Sequence, residues 1–432
     1  MNTKKRNDEK PRNLGRRTFL KQAGLVTAGA LGASLFDPRG TPFLYAQVKE
    51  PIKFGYPEVL SGPFASQGTP QTEGARFAEK HINAQGGILG RPLKILVEDT
   101  EGKVEKAARI AKRMILEEGA VAINGDFPTG TTVAICKVCQ DLGAIYFKYE
   151  SDGSSIYKVM HKLAFHLGDN GPVLSRALVR LALEKFPNAK RWAIMVPDYA
   201  WGHDALKDLQ EAMTKFSQTK MDVKTLIHPQ GCPDFSSYIL QIEDYKPDIL
   251  VTFTFSSDFV TFLRQQKPHK LYQKTIGLHW GSPCMVANSM GKDMEPMWSG
   301  LMHGHPSLPH AKKFDEMFFK ETGKHVPEDT TAPYYDSVFI LKKAIEMAKS
   351  AKPEDIAKKM EGLEYSGYAG KCKINPVSHL AIRSHYYMGY LSPVPDLPYF
   401  GAKEIYSIPY DKIMVTDQEA KERYGAAFPY TS

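Results

Sequence analysis

A threonine placed just before a predicted helix offers the clearest ligand-binding chemistry in this 432-residue chain. Residues 120–124 are apolar enough for a buried strand, and residues 125–130 form a loop before a helix predicted over 131–142. A second strand is predicted over 144–147. Thr129 therefore lies near a helix N-terminus, where free N–H groups and the helix dipole favour an anion such as a carboxylate. The same pattern also fits an ordinary strand–loop–helix connection in which the threonine caps the helix.

The five cysteines do not indicate a disulfide framework, because their number is odd and their spacing is irregular. Cys136 and Cys139 form a C-x-x-C pair, which invites a redox interpretation. Redox pairs usually open a helix, where the dipole lowers the thiol pKa, whereas this pair falls more than a turn inside the predicted helix. We therefore expect buried or half-buried thiols. No second C-x-x-C or nearby histidine pair completes a zinc site.

The sequence lacks the motifs of nucleotide-dependent and hydrolytic enzymes. The glycine-rich run at 86–90 closes a helix and precedes a strand, whereas a dinucleotide-binding loop follows a strand. There is no P-loop, nucleophile elbow or H-E-x-x-H motif. His303 and His305 would project to the same side of a strand, but no third ligand lies close in sequence. We therefore expect no catalytic residue, no cofactor and no metal.

Positive charge is concentrated at the N-terminus. Residues 1–46 hold nine Lys/Arg and three Asp/Glu, so most of the formal charge of +8 belongs to this segment. It contains Arg16-Arg17 in an R-R-x-F-L-K pattern, an apolar run over 24–36, and Ala46 at a plausible cleavage site. The apolar run is roughly half of the ~20 residues needed to span a bilayer. We expect a twin-arginine-type signal peptide over 1–46 and a periplasmic mature protein, with an uncleaved anchor as the alternative.

The remainder of the chain is almost neutral, which gives no reason to expect a nucleic-acid partner. No later stretch is apolar for long enough to cross a membrane. We therefore expect no direct membrane insertion once the leader is cleaved.

Short apolar strands alternate with amphipathic helices along the mature chain. The first series runs from residue 52 to residue 147, and its first helix is predicted to start at Thr69-Pro70, where threonine caps and proline takes the first helical position. The pattern starts afresh after residue 171. This alternation predicts two α/β units, each a doubly wound parallel sheet. The carboxyl ends of parallel strands share one edge, and small ligands bind there.

The order of these elements and several short motifs resemble the leucine/isoleucine/valine-binding-protein family, the type I solute-binding proteins of ABC importers. The resemblance covers about residues 52–391, and the motifs are specific in combination rather than singly. They are Leu60-Ser61-Gly62-Pro63, Glu73-Gly74-Ala75, I-N-A-Q-G-G-I-L-G at 82–90, Glu98-Asp99, Asp198-Tyr199-Ala200-Trp201-Gly202 and Tyr335-Asp336.

The resemblance implies a two-lobed type I periplasmic-binding-protein fold, in which three crossovers join the lobes and the ligand lies in the cleft between them. It also implies an N-terminal lobe made of 48–167 and 305–373, and a C-terminal lobe made of 168–304 and 374–391. The segment 392–432 has no counterpart in the family pattern and forms a C-terminal extension. Hinge closure around a ligand is a standard mode of domain motion.

By the same resemblance, the positions that contact the ligand are Gln67, Thr129, Glu150, Asp152, Trp201, Phe255 and His279. Thr129 keeps the family's hydroxyl at a helix N-terminus, where it is expected to hold a ligand carboxylate. Asp152 replaces the usual small hydroxyl residue, and His279 stands where amino-acid binders often place an acid against the ligand ammonium. Either Asp152 or Glu150 supplies that counter-charge, or the ligand has no ammonium. Asp152, beside Gly153, equally fits a helix cap.

Aromatic side chains cluster at the same loop ends, and such rings stack on aromatic or aliphatic ligands. Small flanking residues favour a cleft position for Trp201, whereas Phe255 and Trp280 fit either the cleft or the core beneath it. The cluster comprises Phe127, Tyr149, Trp201, Phe255 and Trp280.

These expectations describe the non-catalytic capture of a small carboxylate-bearing solute, either an amino acid or an aromatic or branched organic acid. The solute would be delivered to the membrane subunits of an ABC permease. Two alternatives remain open at this point, a sensor protein that reports its ligand to a receptor and an exported α/β enzyme without a nucleotide. Turnover of a candidate compound would favour the enzyme, and a neighbouring receptor gene would favour the sensor.

Overall fold

The structure is a computed structural model, and it describes residues 49–62, 64–149, 154–281, 286, 289–301, 304–325, 331–393 and 400–424. Glu50–Ser432 forms one compact unit. The expected signal peptide over 1–46 and the candidate ligand contacts Glu150 and Asp152 lie outside the described residues, as does His303.

The first lobe is built on a five-stranded parallel sheet flanked by helices. Its elements are β1 (Ile52–Glu58), α1 (Ala65–Ala84), β2 (Leu93–Asp99), α2 (Val104–Leu116), β3 (Ala120–Asn124), α3 (Thr129–Leu142), β4 (Ile145–Lys148) and β5 (Ala164–His166). The strand order is β2-β1-β3-β4-β5, and every neighbouring pair is parallel. The carboxyl ends of all five strands therefore lie at one edge, as the sequence pattern predicted.

Helix α1 begins one turn earlier than the sequence predicted. It starts at Ala65 rather than Thr69, and Pro70 lies inside it. The N–H of Gln67 already bonds to the carbonyl of Phe64 over 2.9 Å, so a first turn forms ahead of the proline. The predicted start at Thr69 was wrong because proline removes only one backbone donor, and a good local start signal does not exclude an earlier turn.

The second lobe repeats the alternation of strands and helices. Its elements are α4 (Gly171–Lys185), β6 (Arg191–Pro197), α5 (Ala200–Phe216), β7 (Asp222–His228), α6 (Ser236–Tyr245), β8 (Ile249–Thr252), α7 (Ser256–Gln266), α8 (Leu271–Lys274), β9 (Ile276–His279) and β10 (Met297–Gly300). These five strands are parallel and lie in the order β10-β9-β8-β6-β7.

The C-terminal third of the chain adds helices and five strands, of which three form a small sheet of their own and two join the second sheet. They are α9 (Pro309–Thr322), α10 (Thr331–Ala348), α11 (Pro353–Met360), β11 (Glu364–Gly367), β12 (Gly370–Ile374), β13 (Ala381–Arg383), β14 (His385–Pro393), β15 (Phe400–Pro409) and α12 (Asp417–Tyr424). Strands β14 and β15 extend the second sheet in antiparallel fashion. The five strands of the second α/β unit are parallel, as expected, and β14 and β15 add an antiparallel edge to them. Strand β15 follows β14 without the helical crossover that parallel pairing would need.

Helix α10 packs tightly against α1 in the first lobe. A side chain at Gly74 would place its Cβ 2.0 Å from the carbonyl oxygen of Thr331, so only glycine allows this approach. Tyr334 and Val338 of α10 share a buried core with Ile52 of β1. The chain thus returns to the first lobe after β10 and enters the second sheet again at β14.

The C-terminal extension contacts both lobes. Val415 and Ala420 pack in a buried cluster with first-lobe residues such as Met114. On the same helix, α12, the Glu419 carboxylate lies 3.1 Å from the guanidinium of Arg176 on α4. The segment that the family pattern did not explain therefore connects one lobe to the other.

Candidate functional site

The rings of Phe64, Phe127 and Phe255 meet where the two lobes face each other, and we call them the interlobe ring cluster. Phe64 follows β1 and Phe127 follows β3 in the first lobe, whereas Phe255 follows β8 in the second. The Phe64 and Phe255 rings stack with centroids 6.0 Å apart, and the Phe127 centroid is 5.7 Å from Phe64 and 5.8 Å from Phe255. The hydroxyls of Ser66 and Ser256 are 3.3 Å apart. Strand ends of both lobes thus meet at this point.

Thr129 is the first residue of α3, which begins two residues earlier than predicted. Pro128 precedes it with an extended backbone, and the hydroxyl of Thr131 donates to the Pro128 carbonyl over 2.7 Å. Thr129 is 5% exposed, and its side chain carries a hydroxyl. This hydroxyl lies next to the N–H groups of a first helical turn, which have no acceptors inside the helix. Such a combination suits a carboxylate.

A buried lysine holds the loop that leads into α3. Lys148 ends β4, and its ammonium donates to the carbonyls of Asp126 and Phe127 and, over 2.8 Å, to the hydroxyl of Thr132. The Asp126 carboxylate accepts the hydroxyl of Thr100 over 2.6 Å, and burial raises the pKa of Asp126. These contacts fix the loop that carries Phe127. Sequence analysis missed Lys148, although a charged residue that ends an apolar strand was a usable signal.

A second buried polar contact joins β1 to β3. Glu58 ends β1 and is fully buried, and the side-chain amide of Asn124 at the end of β3 donates to its carboxylate. Sequence analysis named neither residue. The carboxylates of Glu58 and Asp126 are therefore both engaged by protein donors.

Gln67 lies in the first turn of α1, close in sequence to Phe64, and is 9% exposed. It stands at the same edge of the first sheet as Thr129. Glu150 and Asp152 lie outside the described residues, so their expected role as counter-charge for a ligand ammonium stays a prediction.

Two tryptophans lie at the strand ends of the second lobe. Trp201 is the second residue of α5, Trp280 follows β9, and their ring centroids are 4.8 Å apart. The Trp280 ring lies 6.4 Å from that of Phe255. Trp201 is 4% and Trp280 8% exposed, and neither indole N–H has a hydrogen-bond partner within the ranges that the structure describes. Both rings are therefore packed behind the interlobe ring cluster rather than open to solvent.

His279 ends β9 and is 2% exposed. Its Nε2 lies 3.0 Å from the carbonyl oxygen of Thr254, its Nδ1 lies against both the carbonyl oxygen and the N–H of Gly281, and its ring stacks on Phe259 at 4.4 Å. Burial lowers the pKa of His279 to about 4, so the imidazole is neutral near pH 7. The protein occupies both ring nitrogens. The ligand contact that the resemblance predicts for His279 would require the ring to leave these partners.

Phe64 also covers a small pocket on the second lobe, beside the interlobe ring cluster. Tyr199, His228 and Asp258 line this pocket. The Nε2 of His228 lies 3.0 Å from the hydroxyl of Thr254, and burial lowers the pKa of His228. Burial raises the pKa of Asp258. The pocket therefore brings polar groups next to the aromatic rings.

Cys136 and Cys139 are fully buried in α3, which confirms the prediction of buried thiols, and burial raises the pKa of Cys139. Among the described residues, no group of three or more His, Cys, Asp or Glu side chains is placed to hold a metal ion. No helix in the described ranges has both the length and the apolar character needed to cross a bilayer.

Comparison with known proteins connects this geometry to a family. A family model described as a periplasmic binding protein matches residues 51–391. The chain is also similar to Leu/Ile/Val-binding protein homolog 7 of Brucella abortus (strain 2308), with 26% identity over 221 residues. That match covers 50% of this chain and 55% of the relative, so the chain spans about half the length of this curated relative.

Two solved structures share the fold. An amino acid ABC transporter substrate-binding protein from Pseudomonas fluorescens Pf-5 has 23% identity and a TM-score of 0.74, covering 84% of this chain and 97% of that chain. A solute-binding protein of an ABC transporter from R. palustris, in complex with 4-hydroxybenzoate, has 18% identity and a TM-score of 0.73, covering 84% and 98%. At these identities the likeness establishes the arrangement of the elements and not the ligand.

Proposed function

The chain belongs to the periplasmic binding protein family, and we propose that it is the extracytoplasmic solute-binding component of an ABC importer. In this proposal the two lobes capture a small carboxylate-bearing ligand and deliver it to the membrane subunits of a permease. The observation that carries the proposal is the interlobe ring cluster. Rings from both lobes meet there, and one of them belongs to Phe127, which lies two positions before Thr129 in the chain. A ligand that contacts rings of both lobes stabilises their closed arrangement.

Thr129 binds the ligand carboxylate in this proposal. The dipole of a helix N-terminus stabilises an anion by about 0.3–1 kcal/mol at exposed sites and by up to about 2 kcal/mol at partly buried ones. Lys148 adds a fixed positive charge behind the same loop. Phe127 and Phe255 pack on the body of the ligand, where aromatic contacts contribute about 0.5–1.5 kcal/mol beyond simple burial. Gln67 offers a polar contact at the same edge.

Two ligand classes fit this site, namely amino acids and aromatic or branched organic acids. The name of the Pseudomonas fluorescens protein refers to amino acids, and the R. palustris protein was solved with 4-hydroxybenzoate. An amino acid needs a counter-charge for its ammonium, which Glu150 or Asp152 supplies in our proposal. A screen that contains both classes therefore tests these two carboxylates as well.

We propose that the protein reaches the periplasm by the twin-arginine pathway, on the strength of the Arg16-Arg17 motif. Replacing both arginines by lysine should abolish the accumulation of the protein in the periplasmic fraction. Undiminished export of the double variant would contradict the pathway. In this proposal the protein binds its ligand and does not convert it to a product.

The proposed function is tested by a thermal-shift screen against amino acids, aromatic acids, amides and urea. A ligand present at a hundred times its Kd adds about 2.7 kcal/mol to the free energy of unfolding. Hits are then titrated calorimetrically and incubated to look for chemical change. If no compound raises the melting temperature, or if a hit is converted to product, the proposal fails.

The variant Thr129→Ala tests the carboxylate site. It removes one hydrogen bond to a charged group, so the affinity for a hit should fall by about tenfold. The matched control is Thr214→Ala, which removes an exposed threonine hydroxyl from α5 that bonds only to the carbonyl of Gln210. Equal affinities of the two variants would contradict the role of Thr129.

A further inference from the structure

Two indole N–H groups at the cleft edge of the second lobe are buried and have no acceptor among the described residues. They belong to Trp201 and Trp280, whose side chains are more than nine-tenths buried. An indole nitrogen can only donate. A buried donor without an acceptor loses its hydration and gains nothing in return, so buried donors are nearly always paired. Two such donors with ring centroids 4.8 Å apart point to an acceptor that the described part of the chain does not provide.

The other buried tryptophans of this core behave differently. The chain has four tryptophans. Trp192 is 1% exposed in the same hydrophobic cluster, and its indole N–H donates to the carbonyl of Ala189 over 3.2 Å. The indole N–H of Trp298 is not a buried donor that lacks a partner. Among the tryptophans of the described residues, a buried indole N–H without an acceptor therefore occurs at the pair that lies next to the interlobe ring cluster.

The position of this pair relates it to the ligand. The Trp280 ring lies 6.4 Å from Phe255, and Phe255 contacts the rings of the first lobe. The pair is thus on the second-lobe side of the cleft, whereas Thr129 and the N-terminus of α3 are on the first-lobe side. A ligand whose carboxylate lies at Thr129 presents its other end to the second lobe.

We propose that Trp201 and Trp280 form a donor pair for an oxygen atom at the end of the ligand remote from its carboxylate. This inference rests on the proposed function and narrows its substrate class to acids that carry a second oxygen, such as a hydroxyl or carbonyl group. An apolar end of the same shape leaves both donors unpaired. A site built around hydrogen bonds rejects such an analogue.

The first test observes the indole N–H groups directly in the ¹⁵N-labelled protein. The probes are 4-hydroxybenzoate and 4-methylbenzoate, which have similar size and differ in the remote oxygen. The four indole signals are assigned with single Trp→Phe variants. Saturating 4-hydroxybenzoate should move the indole protons of Trp201 and Trp280 downfield and slow their exchange with solvent, while the signal of Trp192 stays in place.

The second test measures affinity. Trp280→Phe keeps an aromatic ring and removes the donor, so its affinity for 4-hydroxybenzoate should fall by about tenfold, with little change for 4-methylbenzoate. The control is Trp192→Phe, which removes a paired indole from the same core and should leave both affinities unchanged. An equal loss for both probes indicates packing alone and overturns the inference.

The remaining outcomes separate this inference from the proposed function. If a probe binds and neither indole signal responds, the donor pair is wrong and the solute-binding function stands. Binding of L-leucine alone, which has no oxygen away from its carboxylate, also overturns the donor pair only. If no compound of the screen binds, both the proposed function and this inference fail.

Discussion

The guanidinium of Arg383 lies 3.1 Å from the carboxylate of Asp169, and both side chains are buried where the chain passes between the lobes. Asp169 lies between β5 and α4, and Arg383 ends β13 immediately before β14. The hydroxyl of Tyr410, from the C-terminal extension, donates to the same carboxylate over 3.1 Å. Three segments that link the lobes therefore meet at one buried ion pair.

We expect Asp169→Asn to destabilise the protein strongly, because it leaves the charge of Arg383 buried against a neutral partner. Loss of one member of a buried ion pair costs about 3–5 kcal/mol. The free energy of unfolding is measured by denaturant titration. The control is Glu316→Gln in the exposed Lys312–Glu316 pair, where the nitrogen and oxygen are 3.9 Å apart and a loss of about 0–1 kcal/mol is expected. Similar losses in the two variants would contradict the role of the buried pair.

Glu419→Gln should loosen the attachment of the C-terminal helix. The Glu419 carboxylate contacts the buried guanidinium of Arg176 and the ammonium of Lys215, both in the second lobe. Hydrogen bonds to charged groups contribute about 1.5–3 kcal/mol, so a loss of this order in the free energy of unfolding is expected. Glu422→Gln on the same helix is the control, since Glu422 is exposed. Hydrogen exchange of α12 should quicken only in the Glu419 variant, and unchanged exchange would argue against the attachment.

Lys148→Met should weaken both the fold and the binding of carboxylates. The ammonium of Lys148 holds the carbonyl of Phe127 and the hydroxyl of Thr132, so its removal leaves buried acceptors unpaired, which costs about 1–3 kcal/mol. The affinity for any carboxylate hit should fall more than the affinity for a neutral analogue, because a positive charge is lost behind α3. The exposed Lys162→Met is the control. An equal drop for charged and neutral compounds would contradict the electrostatic role.

Asp336 should make the stability of the protein depend on pH between about 4 and 7. Burial raises the pKa of Asp336 to about 7, whereas an unfolded aspartate titrates near 3.9. Between these values the unfolded chain binds fewer protons than the folded chain, so this residue lowers the stability as pH rises. Asp336→Asn keeps an acceptor for the N–H of Tyr368 and removes the titration.

The stability of Asp336→Asn relative to the unchanged protein should therefore increase from pH 4 to pH 7 and level off above that range. Denaturant titrations at several pH values measure this difference. Asp411→Asn, at an exposed position, should show a constant difference over the same range. Parallel pH profiles for Asp336→Asn and the unchanged protein would exclude a raised pKa at Asp336.

Local structure was largely predictable because side-chain periodicity and turn residues act over a few neighbours. The strand β3 has the predicted bounds Ala120–Asn124, and Thr129 lies at a helix N-terminus as expected. The start of α1 was missed because the Thr69-Pro70 signal is also local, whereas the extra turn from Ala65 depends on a tertiary contact. This turn packs against the chain after β1, where a side chain at Gly68 would place its Cβ 2.1 Å from the Val59 carbonyl oxygen.

The sequence by itself determined the order of strands and helices, the motifs shared with a family of two-lobed binding proteins, and the helix N-terminus at Thr129. Only the tertiary structure decided that Lys148 fixes the loop before α3 and that the ring of His279 turns into the core. It also decided that Trp201 and Trp280 lie together with indole N–H groups that find no acceptor in the described part of the chain. The physical reason is that burial and hydrogen-bond partners depend on residues far apart in the chain, which no local pattern records.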